Sequence, residues 1–128
     1  MTLNEYQEQA MTTCMESSEN FAYMFLNLVG EVGEFASKVA KLIRKKQATI
    51  GGKAIPNGLL TTLEGEEFDK MDTELMKEAG DILWQLSGVC SVMGWKLEEV
   101  AQMNLDKLAA RKEIGTIDGN GDGIIREK

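Results

Sequence analysis

Four carboxylates dominate the chemistry this sequence can do. Glu31 and Glu34 lie three residues apart, as do Glu78 and Asp81, and an offset of 47 superposes the two pairs and also Gly33 on Gly80. Apolar positions superpose at the same offset: Leu28 on Leu75, Phe35 on Ile82, Val39 on Leu86 and Leu42 on Val89. Residues three apart on a helix are neighbours, so each pair forms one acidic patch. If the apolar stripes of the two helices pack together, all four carboxylates converge at one rim of the core. Like charges so placed repel, and a carboxylate at a core edge is costly unless it is paired or holds a metal. All-oxygen ligation suits Mg²⁺, or Mn²⁺ in its place, with water and a substrate phosphate completing the shell. The competing reading is a solvated acidic face, the ordinary role of one such pair. Duplication at matched phase favours the metal site. Glycine inside a helix costs about 1 kcal/mol relative to alanine, so Gly33 and Gly80 suggest close backbone approach or room for a ligand, with simple helix packing as the plain alternative.

The helices that must position these groups follow from periodicity. At about 100° per residue, Phe21, Met24, Phe25, Leu28, Val32, Phe35 and Val39 share one arc, with Glu31 on its border and Glu34 further out. Leu75, Ala79, Ile82, Leu86, Val89 and Met93 form the matching arc beside Glu78 and Asp81. On a last helix Asn104, Lys107 and Arg111 share a stripe within about 60°, next to Leu97, Ala101 and Leu108. Lysine as a point charge, arginine as a fork and asparagine as a donor suit phosphate. A solvated face is the plain alternative for that stripe.

Composition narrows the class. A chain of 128 residues with 43% apolar residues and a single proline reads as one soluble, largely helical domain. The net charge of −7 argues against a nucleic-acid partner. No secretory segment or membrane-spanning run is visible, and Cys14 and Cys90 fit free thiols of a reducing cytoplasm. The chain has no histidine, which removes Ser/His and Cys/His nucleophiles, histidine-based zinc sites and Glu-x-x-His di-iron ligation.

Thr2 and Glu5 have the spacing of a capping box, which predicts a first helix over about residues 3–16. Ser18 or Asn20 caps a second helix, which ends in the basic run Lys41, Arg44, Lys45 and Lys46. That run suits a helix C-terminus; phosphate contact is its functional alternative. Residues 47–70 hold Gly51-Gly52, Pro56-Asn57-Gly58 and Gly65 and read as a long loop with space for a small hairpin, of a length common in lids. Asp69 or Asp72 is the expected cap of a third helix ending near Gly94, and a fourth helix covers about residues 96–112. An all-α catalytic domain over residues 1–112 and a Gly-rich tail over 113–128 are therefore expected. The tail carries Asp118-x-Asn120-x-Asp122-Gly123, the first half of an EF-hand calcium loop without its closing glutamate. A flap or a phosphate-binding nest fits it better than calcium.

Together, Glu31-x-x-Glu34, Glu78-x-x-Asp81 and Asn104-x-x-Lys107-x-x-x-Arg111 resemble the MazG-type all-α nucleotide pyrophosphohydrolases. The Gly-Thr-Ile-x-Gly-x-Gly-Asp tail resembles phage and bacterial MazG-like proteins. The resemblance covers about residues 20–46 and 71–126. The Gly-Glu-Val-Gly-Glu form is similar to the dCTP-pyrophosphatase-like branch, with Gly30 where many members carry a further glutamate. The resemblance implies a four-helix bundle-like domain with a long loop between its second and third helices. It implies house-cleaning hydrolysis of a (deoxy)nucleoside triphosphate to monophosphate and pyrophosphate by metal-activated water. Mg²⁺, with Mn²⁺ possible, would be held by Glu31, Glu34, Glu78 and Asp81. Glu34 would take the water's proton, Lys107 and Arg111 would hold the triphosphate during reaction, and Lys38 and Asn104 would assist substrate binding. A homo-dimer or homo-tetramer, in which a neighbouring subunit completes the base pocket, is also implied. Phosphoribosyl-ATP hydrolysis belongs to a related all-α family, and nothing in the sequence favours it. The competing classes are a non-enzymatic helical interaction module and a calcium-binding protein.

Overall fold

A computed structural model of the chain describes residues 1–50 and 59–115. Four helices, α1 (Leu3–Met11), α2 (Phe21–Arg44), α3 (Gly65–Val92) and α4 (Leu97–Glu113), account for most of them. Between α2 and α3 lie β1 (Ala48–Ile50) and β2 (Leu59–Thr61), paired antiparallel with Ala48 opposite Thr61 and Ile50 opposite Leu59. The fold is the all-α bundle expected from the sequence, with the hairpin occupying part of the long connection.

Each helix end has a local cause. The Thr2 hydroxyl accepts from the Glu5 amide while the Glu5 carboxylate accepts from the Thr2 amide, a complete capping box. α1 stops at Met11, short of the expected residue 16. The hydroxyls of Thr12 and Thr13 donate back to the carbonyls of Gln9 and Ala10 and compete with continuation of the helix. A 3₁₀ turn at Glu16–Ser18 follows, and Asn20 caps α2 by accepting from the Tyr23 amide at 2.8 Å. α2 closes with Lys46 in the left-handed region at φ 59°, its amide donating to Ile43 and that of Gln47 to Leu42. α3 begins at Gly65, earlier than the expected Asp69 or Asp72 cap. Its N-cap Glu64 forms no side-chain cap, and Gly65 at φ 60° lets the chain turn out of β2 directly into the helix. At the far end Gly94 adopts φ 75°, with its amide bonded to Ser91 and that of Trp95 to Cys90, the expected glycine stop.

α2 and α3 form the central antiparallel pair. Met24, Ser87 and Cys90 are fully buried between them. A β-carbon at Gly88 would collide with the Met24 thioether, so the close approach in this pair is made at Gly88. Nothing lies within 4 Å of a β-carbon built at Gly33 or Gly80, which corrects the expectation of close backbone approach there within the chain.

α1 ties the pair to α4 through polar contacts. The Trp84 indole N–H donates to the Ala10 carbonyl and the Thr13 hydroxyl at α1's end. Gln7 is buried and uses its whole amide: Oε1 accepts from the Leu97 amide at 2.8 Å, and Nε2 donates to the Trp95 carbonyl and Ser91 Oγ. Asn4 Oδ1 accepts from the Glu98 amide, and Glu98 Oε2 accepts from the Asn4 amide. α4 thus starts at Lys96 without a cap of its own and takes one from α1. Along α2, Phe21, Phe25, Leu26, Val29 and Val32 stay exposed, with the rings of Phe21 and Phe25 stacked 5.6 Å apart.

Candidate active site

The apolar phase of the central pair decides where the acids go. Met24 is buried and Leu28, Phe35, Val39 and Leu42 are half-buried on the α3-facing side of α2. Glu31 shares that side, which leaves it half-buried at the seam. On α3 the same reasoning half-buries Glu78 one turn from Leu75 and Ile82, while Asp81 is exposed. One carboxylate oxygen from each of Glu31, Glu78 and Asp81 lies within 4.8 Å of the other two. Glu34, one turn beyond Glu31, is exposed and stands outside that triplet, although its charge still acts on Glu31.

Burial raises the Glu31 carboxyl above its ordinary value, and the charges of Glu34, Asp81 and Glu78 add to the shift in that order. Lys38 Nζ stands 3.6 Å from Glu78 Oε2, with side chains 45% and 14% exposed respectively. The other oxygen, Glu78 Oε1, is buried and accepts no hydrogen bond among the described residues. A buried carboxylate oxygen without a donor is costly, and a divalent cation held jointly with Glu31 and Asp81 would remove that cost. Three converging carboxylates with one unsatisfied oxygen are a hard-oxygen donor set that fits Mg²⁺ or Mn²⁺.

Tyr6 of α1 adds a group that the acidic motifs did not indicate. Burial raises its phenol first and the Asp81 charge raises it further, which places it at the acidic rim. The available signal was its position four residues before Ala10 on one face of α1, a face that proves to be buried.

The structure brings Glu31, Glu78 and Asp81 together with Lys38 beside Glu78, and corrects the expectation of four converging carboxylates: Glu34, exposed one turn away, acts on Glu31 only through its charge. The residues of the phosphate stripe lie on α4, a helix that packs chiefly against α1. Asn104 and Lys107 are exposed, and neither forms a hydrogen bond or ion pair with the acidic rim among the described residues; Arg111 is half-buried. Asp118, Asn120 and Asp122 of the calcium-loop fragment lie outside the described residues.

A model of the MazG nucleotide pyrophosphohydrolase domain matches residues 19–115, which run from the turn before α2 past the end of α4. The gene 37 protein of Mycobacterium phage L5 is 35% identical over 107 residues, covering 84% of this chain and 79% of the phage protein. No solved structure matches the chain.

Proposed function

This chain belongs to the MazG nucleotide pyrophosphohydrolase family, and from that premise we propose that it cleaves a (deoxy)nucleoside triphosphate to the monophosphate and pyrophosphate in a metal-dependent reaction. The observation that carries the reading is the convergence of one carboxylate oxygen each from Glu31, Glu78 and Asp81 within 4.8 Å of one another, together with a buried Glu78 Oε1 that accepts no hydrogen bond among the described residues. These three, with Glu34 one turn away, would hold Mg²⁺ or Mn²⁺. The ion would polarise the phosphoryl group and make water at the site more acidic. Glu34 takes the proton of the attacking water at the α-phosphorus, because it is the exposed member of the four on α2 and is free of the triplet. Lys38 balances the Glu78 charge and keeps a cation at the edge of the phosphate path. Asn104, Lys107 and Arg111 help hold the triphosphate, with Lys107 and Arg111 offsetting the acidic surroundings.

The acting form is a homo-dimer or homo-tetramer. Exposed Phe21, Phe25, Leu26 and Val29 along one helix support a neighbouring copy at that face. A cytoplasmic setting is supported by two unpaired thiols, Cys14 and Cys90, and no described helix is long and apolar enough to cross a membrane.

Pyrophosphate release from a panel of ribo- and deoxyribonucleoside triphosphates, with and without Mg²⁺, tests the reading. Release that needs metal and disappears in Glu34→Gln and Asp81→Asn is expected. No release from any triphosphate at any metal concentration would overturn it.

A further inference from the structure

Beyond the acidic rim, the α2–α3 seam changes character. A cleft of about 460 Å³ opens between the last two turns of α2 and the first turns of α3. Lys38, Lys41 and Lys45 line it from α2 and Lys70 from α3, with Glu67 and Glu74 as its acidic members and Leu42 and Leu75 among its apolar ones. Four lysines against two glutamates give the walls a net positive charge in a chain whose net charge is −7.

Helix-end electrostatics do not account for this arrangement. They favour cations at Lys41, Arg44 and Lys45 in the closing turns of α2, but the effect fades within the last turn and does not reach Lys38. They give no reason for a cation at Lys70, which stands in the second turn of α3, beyond the reach of the helix end. Lys38, Lys41 and Lys45 are spaced i, i+3, i+7 and so share one face over about 10 Å of helix. Lys38 joins the two regions: it lines the cleft and also stands 3.6 Å from Glu78 of the acidic rim.

We propose that this cleft is the subsite for the β- and γ-phosphates of the substrate and for the pyrophosphate that leaves, with Lys41, Lys45 and Lys70 contacting the terminal phosphates and Lys38 marking the junction with the metal rim. The inference rests on the triphosphate hydrolysis proposed above. It sets a direction for the substrate: α-phosphorus at Glu34, terminal phosphates toward the hairpin, and sugar and base toward the other end of α2. A nucleoside diphosphate presents only its β-phosphate to the cleft and leaves the γ-phosphate position empty, so the cleft favours triphosphates.

Calorimetric titration of inorganic pyrophosphate into the full chain in Mg²⁺ tests this without turnover. Lys41→Gln/Lys45→Gln and Lys70→Gln are expected to weaken pyrophosphate at least about 10-fold, equal to about 1.4 kcal/mol. Lys96→Gln and Lys112→Gln, outside the cleft, are expected to bind as the unaltered chain does, and melting curves should show every variant folded. Unchanged affinity in the cleft variants, or equal weakening in the two outside variants, overturns the subsite. Failure of the parent reading looks different: no triphosphate is hydrolysed, yet pyrophosphate still binds through Lys41, Lys45 and Lys70.

Discussion

Asp81→Asn separates the charge of the acidic rim from its chemistry, because it keeps the side-chain shape and removes one negative charge. The three oxygens of Glu31, Glu78 and Asp81 lie within 4.8 Å of one another. At that separation two unit charges repel by about 3.5 kcal/mol at an effective dielectric of 20 and by about 0.9 kcal/mol in bulk water. Asp81 is exposed, and Lys38 neutralises part of the Glu78 charge, so the lower figure governs. Asp81 faces two partners, and its neutralisation should stabilise the metal-free chain by about 1–2 kcal/mol. For a chain of this length that is a rise in Tm on the order of 3–10 °C. Mg²⁺ should reverse the order: a ligand at 100 times its Kd stabilises the native state by about 2.7 kcal/mol, and only the unaltered chain keeps the full ligand set. Melting curves in EDTA and in Mg²⁺, run beside the pyrophosphate assay, give both readings. A variant that melts below the unaltered chain in EDTA refutes mutual repulsion, and one that gains as much from Mg²⁺ refutes the ligand assignment.

Three further outcomes are expected. The Glu31 pKa lies above its ordinary 4.5 in the folded chain, so the native state holds that proton more tightly than the unfolded state. Its contribution to the metal-free fold is present in full below the unfolded pKa and is lost as pH rises through the folded one. Urea midpoints in EDTA should therefore fall over that window in the unaltered chain and less in Glu31→Gln; identical slopes would refute the shift. Gly33→Ala and Gly80→Ala have open space at the new methyl and should stabilise the helices by up to about 1 kcal/mol, whereas Gly88→Ala meets buried Met24 and should cost about 1–3 kcal/mol; denaturant titration showing the opposite order would contradict the packing described. Lys107→Ala and Arg111→Ala should each cost on the order of 2–4 kcal/mol in transition-state stabilisation, read as kcat/KM with Mg²⁺ affinity measured separately. Unchanged kinetics would return the stripe to the solvated surface.

What was legible in the sequence is what repeats locally. The acidic pairs, the Asn20 cap and the Gly94 stop each depend on residues within a turn or two of one another, whereas the apolar arcs hold only in part: Met24, Leu28, Phe35 and Val39 face α3, but Phe21, Phe25 and Val32 on α2 and Ala79, Leu86 and Met93 on α3 stay exposed. The end of α1 was misjudged because the two threonine hydroxyls at positions 12 and 13 divert its last carbonyls, a competition that periodicity does not register. The start of α3 was misjudged because Gly65 serves there as an entry to a helix, while a glycine beside Gly51-Gly52 and Pro56 reads as loop. Of the meanings offered for the repeated glycines, close backbone approach within the chain fails and room for a ligand stands. Gly33 and Gly80, marked by their repetition, face open space, and Gly88, marked by nothing, carries the tight contact.

The least legible element is α1, and one of its residues reaches the acidic rim. The family match begins at residue 19, so α1 lies outside it, and its own sequence offers only a capping box and a polar helix. Its hold on the bundle runs through Gln7 and Asn4 to residues 84 to 94 positions away, and no local pattern encodes a contact of that separation. Those bonds supply the missing cap of α4 and fix α1 along α3, and Trp84 anchors its other end. With both ends held, Tyr6 is kept within reach of the Asp81 charge, which adds to the effect of burial in raising its phenol. A segment outside the family match therefore adds a group to the surroundings of the acidic rim.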